Sequence, residues 1–521
     1  MGFSNNINFV EAQGGLGTTA PGTDYISSMV FKSSTTPSGF TFSKAVEVFS
    51  LTQAENLGIV GGFADETAAK SLVTVSATAS TGDTINITIV EPSIHSTFNS
   101  VSLGTYTVKS TDVTSFGSLA TSLSNFINVN TVNSGYSATT ATGASFSIVA
   151  RTGLGTTING TTPTVTFSGV HSITTGAFSG GVNSIRMQEW YQVSEFFRMN
   201  PTGVLWVDYE TSYGTFTFLN TIQAQAGNYI KQFALFNVGT TASAAIQTDL
   251  NEINSACNTL FQPGYAPAVV LYSPNLYSTT DLSTLPNLRN LSDQYCSLLI
   301  EQDGEGLGAW LSFMYGNSVP AYGNVLGLIS RSNVASDIGC PGLFNQTNGY
   351  ELAVPAFTNG QLYSTLFSTQ YNLLTQLDSY GYIFGRTIAN LTGTFVQDDH
   401  SCISITSDYS YIDRNRVANK AARTVYAGLA PLINSNILVN SDGTISAQAI
   451  AIFQAAVKPG MDAMISNGNI SAYPVKVGSN VNGLFIDPTQ NVLTNSTVSV
   501  VLNIVPIGIA RSITVTLGFV L

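Results

Sequence analysis

Short apolar runs alternate with amphipathic segments between about residues 186 and 336, and this alternation limits the possible folds most strongly. Residues 233–238 and 268–272 are short and apolar enough to predict buried strands. Between them, apolar side chains recur at helical spacing at Ile246, Leu250, Ile253, Cys257 and Leu260. Further helices are predicted at 288–300, 325–336, 363–378 and 446–467, and residues 45–49 have helical character. Strands are predicted at 25–31, 497–505 and 512–520. Alternating strands and helices favour a sheet that is covered by helices.

Residues 72–168 have a different texture, rich in Thr and Ser, with alternating strand patterns around a Thr-Gly-Asp turn. One amphipathic helix interrupts them, and Asp112 or Thr114 can cap its start. Its apolar positions are Phe116, Leu119, Leu123, Phe126 and Ile127. The segment is predicted to be an inserted, surface-exposed β-rich domain. The whole chain is therefore expected to be a multidomain protein of the α+β or α/β class.

Charged residues make up only 9% of the chain, against about 25% in typical soluble proteins. A surface short of charge avoids the desolvation cost of ions when chains meet, and it repels its own copies weakly. This composition favours self-association, although an extracellular β-rich protein can share it. The net charge of −12 gives no reason to expect binding to nucleic acid.

Four cysteines, Cys257, Cys296, Cys340 and Cys402, are far apart and have no metal-binding spacing. They are predicted to be reduced, buried side chains. The N-terminus lacks the pattern of a secretion signal, and the chain contains no long apolar run. We therefore expect that the protein is made in the cytoplasm and that it does not insert into a membrane.

Catalytic motifs are weak throughout. The histidines are His95, His171 and His400, and none lies in a zinc-binding pattern. The run Asp398-Asp399-His400 is the best candidate for a metal or acid–base cluster, but a solvated turn is the simpler interpretation. The glycine-rich run 304–308 does not have dinucleotide-binding spacing and is interpreted as a flexible turn. The sequence predicts no enzyme, cofactor or metal site.

The segment YIDRNRVANKAARTVYAGLAPLI predicts a long helix with an unusual basic face. Arg416, Lys420 and Arg423 are spaced so that three cations stack on one side. Like charges at these spacings destabilise an isolated helix by a few tenths of a kcal/mol each. An acidic partner opposite the helix offsets this repulsion. The alternative is that the basic face is simply exposed to solvent.

Both ends of the chain alternate between apolar and polar residues, as a strand does. At the N-terminus the apolar positions are Phe3, Ile7 and Phe9, and at the C-terminus they are Ile513, Val515, Leu517, Phe519 and Leu521. The free energy gained by burying the C-terminal side chains is almost fully offset by the conformational entropy that is lost when the segment becomes ordered. Such a strand is stable only on a waiting sheet edge, which belongs either to the same chain or to another subunit.

Four stretches in this order resemble the proteins that form contractile tail sheaths in phages and related injection systems. They are GGLGTTAPGTDYISSMVF, the run from SYGYIFGRTIANLTGTFVQDDH through the basic helix, AYPVKV, and VSVVLNIVPIGIARSITVTLGFVL. The resemblance covers about a third of the chain, at its two ends. It implies a structural subunit that polymerises as hexameric rings or helical strands around a tail tube and contracts to drive the tube through a cell envelope. The implied partners are other copies, the tail tube protein, and baseplate and tail-terminator proteins, and the implied location is the virion, after assembly in the host cytoplasm.

The resemblance also implies a division of the chain and roles for its residues. The expected parts are an N-terminal arm (1–25), an outer α/β domain (26–71 and 170–380), the inserted β-rich domain (72–169), a tube-proximal core domain (381–505) and a C-terminal strand-exchange arm (506–521). The basic residues expected to face the tube are Arg414, Arg416, Lys420 and Arg423. A tail tube or capsid subunit and a surface adhesin remain alternatives, and a hydrolase acting on host polysaccharide is the enzymatic one.

Overall fold

The computed structural model describes residues 23–77, 79–94, 99–169, 172–261, 266–347, 350–473 and 484–515. They form a mixed α/β multidomain protein, which confirms the predicted fold class. The strands are β1 (Ile26–Lys32), β2 (Val46–Val48), β3 (Lys70–Val75), β4 (Thr84–Glu91), β5 (Asn99–Thr107), β6 (Ser137–Ala138), β7 (Ser145–Val149), β8 (Thr164–Phe167), β9 (Ile173–Thr175), β10 (Val204–Glu210), β11 (Gln232–Asn237), β12 (Val269–Pro274), β13 (Ser292–Asp293), β14 (Cys296–Leu299), β15 (Glu301–Asp303), β16 (Pro355–Phe357), β17 (Tyr382–Ile383), β18 (Gly385–Ile388), β19 (Leu391–Val396), β20 (Cys402–Ile403), β21 (Ile470–Ala472), β22 (Leu484–Phe485), β23 (Val501–Leu502) and β24 (Val505–Pro506).

The α-helices are α1 (Leu51–Asn56), α2 (Phe116–Val129), α3 (Thr131–Ser134), α4 (Met187–Met199), α5 (Phe218–Gln225), α6 (Ser243–Phe261), α7 (Leu307–Tyr315), α8 (Tyr322–Arg331), α9 (Tyr363–Thr369), α10 (Tyr371–Ser379), α11 (Ile412–Leu429), α12 (Ala447–Ser466) and α13 (Val492–Asn495). None of these described helices is long and apolar enough to cross a membrane.

A seven-stranded sheet in the order β17-β14-β12-β11-β1-β10-β2 forms the centre of the largest unit. Its strands run parallel except β2, which pairs antiparallel with β10. Helices α5, α6 and α10 cover one face, and α1, α4 and α8 cover the other. Because both faces are covered, the strands are buried nearly throughout, including polar residues such as Ser27, Ser28 and Asp208. The prediction of a sheet covered by helices is confirmed.

Two local predictions in this unit are wrong. Residues 45–49 were expected to have helical character, but Val46–Val48 form the edge strand β2. Residues 288–300 were expected to form a helix, but they contain the short 3-10 helix Leu288–Asn290 and the buried strand β14. A short apolar run that is buried on both sides has no period to separate a strand from a helix.

The β-rich unit has its own hydrophobic cluster, which extends from Ala69 to Phe178. Two antiparallel sheets, β6-β7-β3-β9 and β5-β4-β8, enclose it together with α2. The predicted helix at this place is confirmed, but its cap is Ser115, whose hydroxyl accepts a hydrogen bond from the Ser118 N–H at 3.0 Å. The indole of Trp310 in α7 donates a 2.8 Å hydrogen bond to the Gly153 carbonyl and joins this unit to the α/β unit.

Helices α11 and α12 form the basis of the C-terminal region, where they pack closely. A Cβ added to Gly428 would lie 2.4 Å from the Ala456 carbonyl oxygen, so only glycine allows this approach. The region also contains two small antiparallel sheets, β21 with β24 and β22 with β23. A long strand was expected over 497–505, but the structure has only the two-residue strands β23 and β24 there.

The cysteines are reduced, as predicted, although Cys340 is only half-buried. The run 304–308 follows β15 and leads into α7, so it is a strand-to-helix connection and not an isolated flexible turn.

On β15, Glu301 is fully buried and accepts a 3.1 Å hydrogen bond from the Gln346 amide at one oxygen. Its other oxygen has no partner among the described residues. Burial raises the pKa of Glu301 to about 8.

Candidate functional site

The basic face of α11 lies against the start of β1. Lys420 donates a hydrogen bond to the Asp24 carboxylate, and Arg423 Nη2 lies 3.6 Å from the other Asp24 oxygen. Arg416 is 3% exposed. The acidic partner that the cation spacing indicated is therefore Asp24 of the same chain, and the alternative of a solvated face is wrong for Arg416.

Burial and charge compete at this cluster. Burial opposes the ionisation of Asp24, but the hydrogen bond and charge of Lys420, with the charges of Arg416 and Arg423, outweigh it and lower the pKa of Asp24. Burial lowers the pKa of Arg416 and of Arg423 to about 10. Burial also lowers the pKa of the nearby Lys231 to about 7, and the charge of Arg423 adds to this shift. One carboxylate thus compensates several desolvated cations.

Arg416 and Arg423 make further hydrogen bonds to other described residues. Arg416 donates to the Ser332 hydroxyl at 2.6 Å, and Arg423 donates to the Pro267 carbonyl at 2.9 Å. Arg414 is more exposed and lies over the Tyr411 ring, 5.2 Å from its centroid. Contact of these four basic residues with a tube stays a prediction.

A second charged cluster, which we call the acidic socket, surrounds the guanidinium of Arg511. Arg511 Nε lies 3.0 Å from Asp398 Oδ1 and 3.6 Å from Asp337 Oδ2. Its Nη2 lies 2.8 Å from Asp399 Oδ1 and 3.1 Å from Asp413 Oδ1. The guanidinium carbon lies 3.5 Å from the centroid of the Tyr411 ring, close enough for a cation–π contact. The socket consists of Asp337, Asp398, Asp399, Asp413 and Tyr411.

Three separate parts of the chain supply the socket. Asp337 follows α8, Asp398 and Asp399 follow β19, and Asp413 lies in the first turn of α11. The Asp399 side chain is 1% exposed and accepts a 2.9 Å hydrogen bond from the Asp413 N–H, which fixes the start of α11. The predicted solvated turn at 398–400 is therefore wrong, because distant segments cover it.

Burial and the neighbouring carboxylates raise the pKa of two socket residues, Asp337 and Asp399. Burial raises the pKa of Asp337 to about 6, with the charge of Asp398 adding to it. Burial and the neighbouring Asp413 raise the pKa of Asp399 well above its usual value. Burial opposes the charge of Arg511, but Asp399, Asp398 and Asp413 outweigh it and raise its pKa. The socket thus favours a bound cation strongly.

Asp337, Asp398 and Asp399 are close enough together to hold a metal ion. The Arg511 guanidinium takes the position that such an ion needs, with contacts to all three carboxylates. His400 points elsewhere, with Nε2 3.0 Å from Asp378 Oδ1 and Nδ1 2.6 Å from Arg289 Nη2. His95 and His171 lie outside the described residues.

The C-terminal segment contacts its own body through the Arg511 side chain and through Ile507, which packs against the hydrophobic cluster of α11 and α12. The backbone of residues 507–515 forms no hydrogen bond with any other described residue. Ile513 and Val515 are 81% and 71% exposed. The strand predicted at 512–520 is absent from its described part, 512–515. Leu517 and Phe519, like Phe3, Ile7 and Phe9 at the other end, lie outside the described residues.

An apolar groove of about 820 Å³ lies between α11 and residues 498–504. Its wall includes Phe261, Ala421, Val425, Leu429, Val500 and Leu502. Small side chains on α11 leave the depth of the groove open, so it has the shape and the apolar character to accept an extended segment.

Comparison with protein families matches residues 408–521 to the model described as "DUF2586, C-terminal domain". Comparison with curated proteins gives no match. Among solved structures, a chain of the anti-feeding prophage baseplate aligns with a TM-score of 0.41 and 11% identity, over 66% of this chain and 85% of that chain. Similarity at this level does not establish a shared fold or function.

Sequence reasoning identified the basic residues of α11 but missed their partner Asp24 and the socket residues Asp337 and Asp413. One signal for the socket was visible, since Arg511 is the single charged residue of the apolar stretch 498–521. A lone cation in an apolar stretch needs a partner when it is buried. Here the partner is a group of carboxylates.

Proposed function

We propose that this chain is a sheath subunit of a contractile tail or a related injection machine. In this role it polymerises around a tail tube and contracts to drive the tube through the envelope of a target cell. It acts as a structural protein and not as an enzyme. Its partners are other copies, the tube protein, and the baseplate and terminator proteins at the two ends, within a virion or a virion-like particle.

The incomplete strand structure of the C-terminal region is the observation that carries this proposal. Isolated two-stranded sheets are marginal in water, and the region has two of them, β21 with β24 and β22 with β23. Beyond β24, the exposed side chains of Ile513 and Val515 keep the alternation of a strand without a sheet. Strands from other copies complete such a region by edge pairing.

The composition and the sequence resemblance support the same role. With 9% charged residues, copies of the chain meet with a small desolvation cost and weak repulsion. The stretches that resemble sheath proteins include α11 and the C-terminal residues 498–521. Contraction then corresponds to a change between two sets of subunit contacts, whose work comes from newly buried surface.

Negative-stain microscopy of the purified protein tests the proposal. A sheath subunit forms wide hollow cylinders, whereas a tail tube protein forms narrow ones and a capsid protein forms shells. Protein that stays monomeric up to high concentration, or that forms only narrow tubes or shells, would refute the sheath assignment.

A pair of matched variants tests the role of the C-terminal strand. Ile513→Lys with Val515→Lys places two charges on the apolar side of the segment and should prevent polymerisation. Ser512→Lys with Thr514→Lys adds the same charges to the opposite side and should leave the cylinders intact. Equal polymerisation of both variants would show that the segment does not pair as a strand.

A further inference from the structure

We infer that the acidic socket binds Arg511 of a second copy of this chain in the assembled state, and that Arg511 of the same chain fills it in the free subunit. The inference rests on the proposed function, because it needs a working state in which copies pack together. Beyond the expectation of strand exchange, it specifies one contact: Arg511 of one copy binds in the acidic socket of another.

The receptor and its ligand belong to parts of the chain that are joined loosely. Helix α11 and the connections after α8 and β19 supply the socket, and all of them pack into hydrophobic clusters. Arg511 instead lies on segment 507–515, which is exposed from residue 512 onward and whose backbone is not hydrogen-bonded to other described residues. The Arg511 side chain is therefore one of two attachments of this segment, beside Ile507, which packs against the hydrophobic cluster of α11 and α12.

The arrangement within one chain leaves apolar surface uncovered. With Arg511 in the socket, Ile513 and Val515 remain 81% and 71% exposed. When the segment moves to a neighbouring copy, it forms the same contacts in that copy's socket, so the charge interactions are conserved in the exchange. Strand pairing in the assembly then adds the apolar burial that the free subunit lacks.

The charge of the socket makes it unfavourable to leave empty. Four carboxylates face one guanidinium, and Asp399 is 1% exposed. Removal of the guanidinium that contacts all four carboxylates leaves their buried charge poorly compensated, or forces protonation of Asp399. Release of one Arg511 is therefore coupled to the arrival of another, and assembly proceeds by exchange of arms between sockets.

Isotope-coded cross-linking of Arg511→Lys tests the inference. The new amine keeps the charge and can be joined to the Asp398 carboxylate by a carbodiimide, whereas the wild-type guanidinium does not react. Unlabelled and ¹⁵N-labelled subunits are mixed while dilute, and one half is then assembled before cross-linking. The exposed pair Lys458–Asp462, 3.2 Å apart, reports in every sample that the reagent has worked.

Dilute subunits of the Arg511→Lys variant should give only unmixed cross-linked peptides between the new amine and the segment that contains Asp398. Cylinders should give mixed and unmixed peptides in equal amounts. Cylinders that give only unmixed peptides, or no such cross-link in either sample, would overturn the inference while the proposed function stands. Absence of cylinders under all conditions, for the wild-type protein as well as the variant, would refute the proposed function, and the inference with it.

Discussion

Replacement of Asp24 by Asn should destabilise the protein far more than a typical charge substitution. Asp24 lies just ahead of the central strand β1, and its side chain is 9% exposed between Lys420 and Arg423. Arg416 and Lys231 add two further desolvated cations nearby. Asn keeps the size of the side chain but removes the negative charge that compensates this group.

The burial of this cluster also determines how much stability Asp24→Asn is expected to cost. Removal of one partner of a buried ion pair costs about 3–5 kcal/mol, because the other charge stays buried without compensation. Asp462→Asn is a matched control, since it breaks the Lys458–Asp462 pair, whose side chains are 63% and 49% exposed. An exposed pair contributes only about 0–1 kcal/mol. We expect a clear difference between the two variants.

Urea denaturation followed by tryptophan fluorescence measures this difference, because Trp190, Trp206 and Trp310 all lie in or beside the α/β unit. The pKa of Asp24 is lowered in the folded state, so its stabilisation is present above pH 3.8 and is lost as the pH falls through the folded value. The cost of Asp24→Asn should shrink in acid accordingly. A cost near that of Asp462→Asn at pH 7 would refute the reasoning.

Two further predictions concern single side chains. Between pH 4.5 and about 8 the folded state keeps a proton on Glu301 that the unfolded chain has lost, so the free energy of unfolding falls across this window. Glu301→Gln should remove this fall and stabilise the protein at pH 9 by up to roughly 4–5 kcal/mol, at about 1.4 kcal/mol per pKa unit; a gain independent of pH in a denaturation series would contradict this. Ser115→Ala should remove the cap of α2 at a cost of about 1 kcal/mol, and unchanged hydrogen exchange in α2 would show that the cap does not contribute.

The elements that the sequence predicted correctly are those with a clear local pattern. Strand β1 and helices α2, α6 and α12 were expected close to their observed bounds, because their apolar positions follow one period over several turns or along a whole strand. The predicted helix at 363–378 is also present, although it is divided at Gln370 into α9 and α10.

The candidate site could be predicted only in part, because its partners are distant in sequence. Asp24 and Lys420 are 396 positions apart, and Arg511 lies 112 positions from Asp399. No local pattern contains such pairs, so the basic face of α11 indicated an acidic partner without locating it. The same limit explains why Asp398 and Asp399 resembled a solvated turn.

The position of β1 has a mechanical consequence for any load applied to the chain ahead of Thr23. Strand β1 lies between β10 and β11 and runs parallel to both. A pull along its axis stretches the hydrogen bonds on both sides together, in shear, and does not peel them apart one after another. Asp24 passes part of the same force to α11 through Lys420, so tension at the N-terminal end reaches the middle of the sheet and the C-terminal region at once.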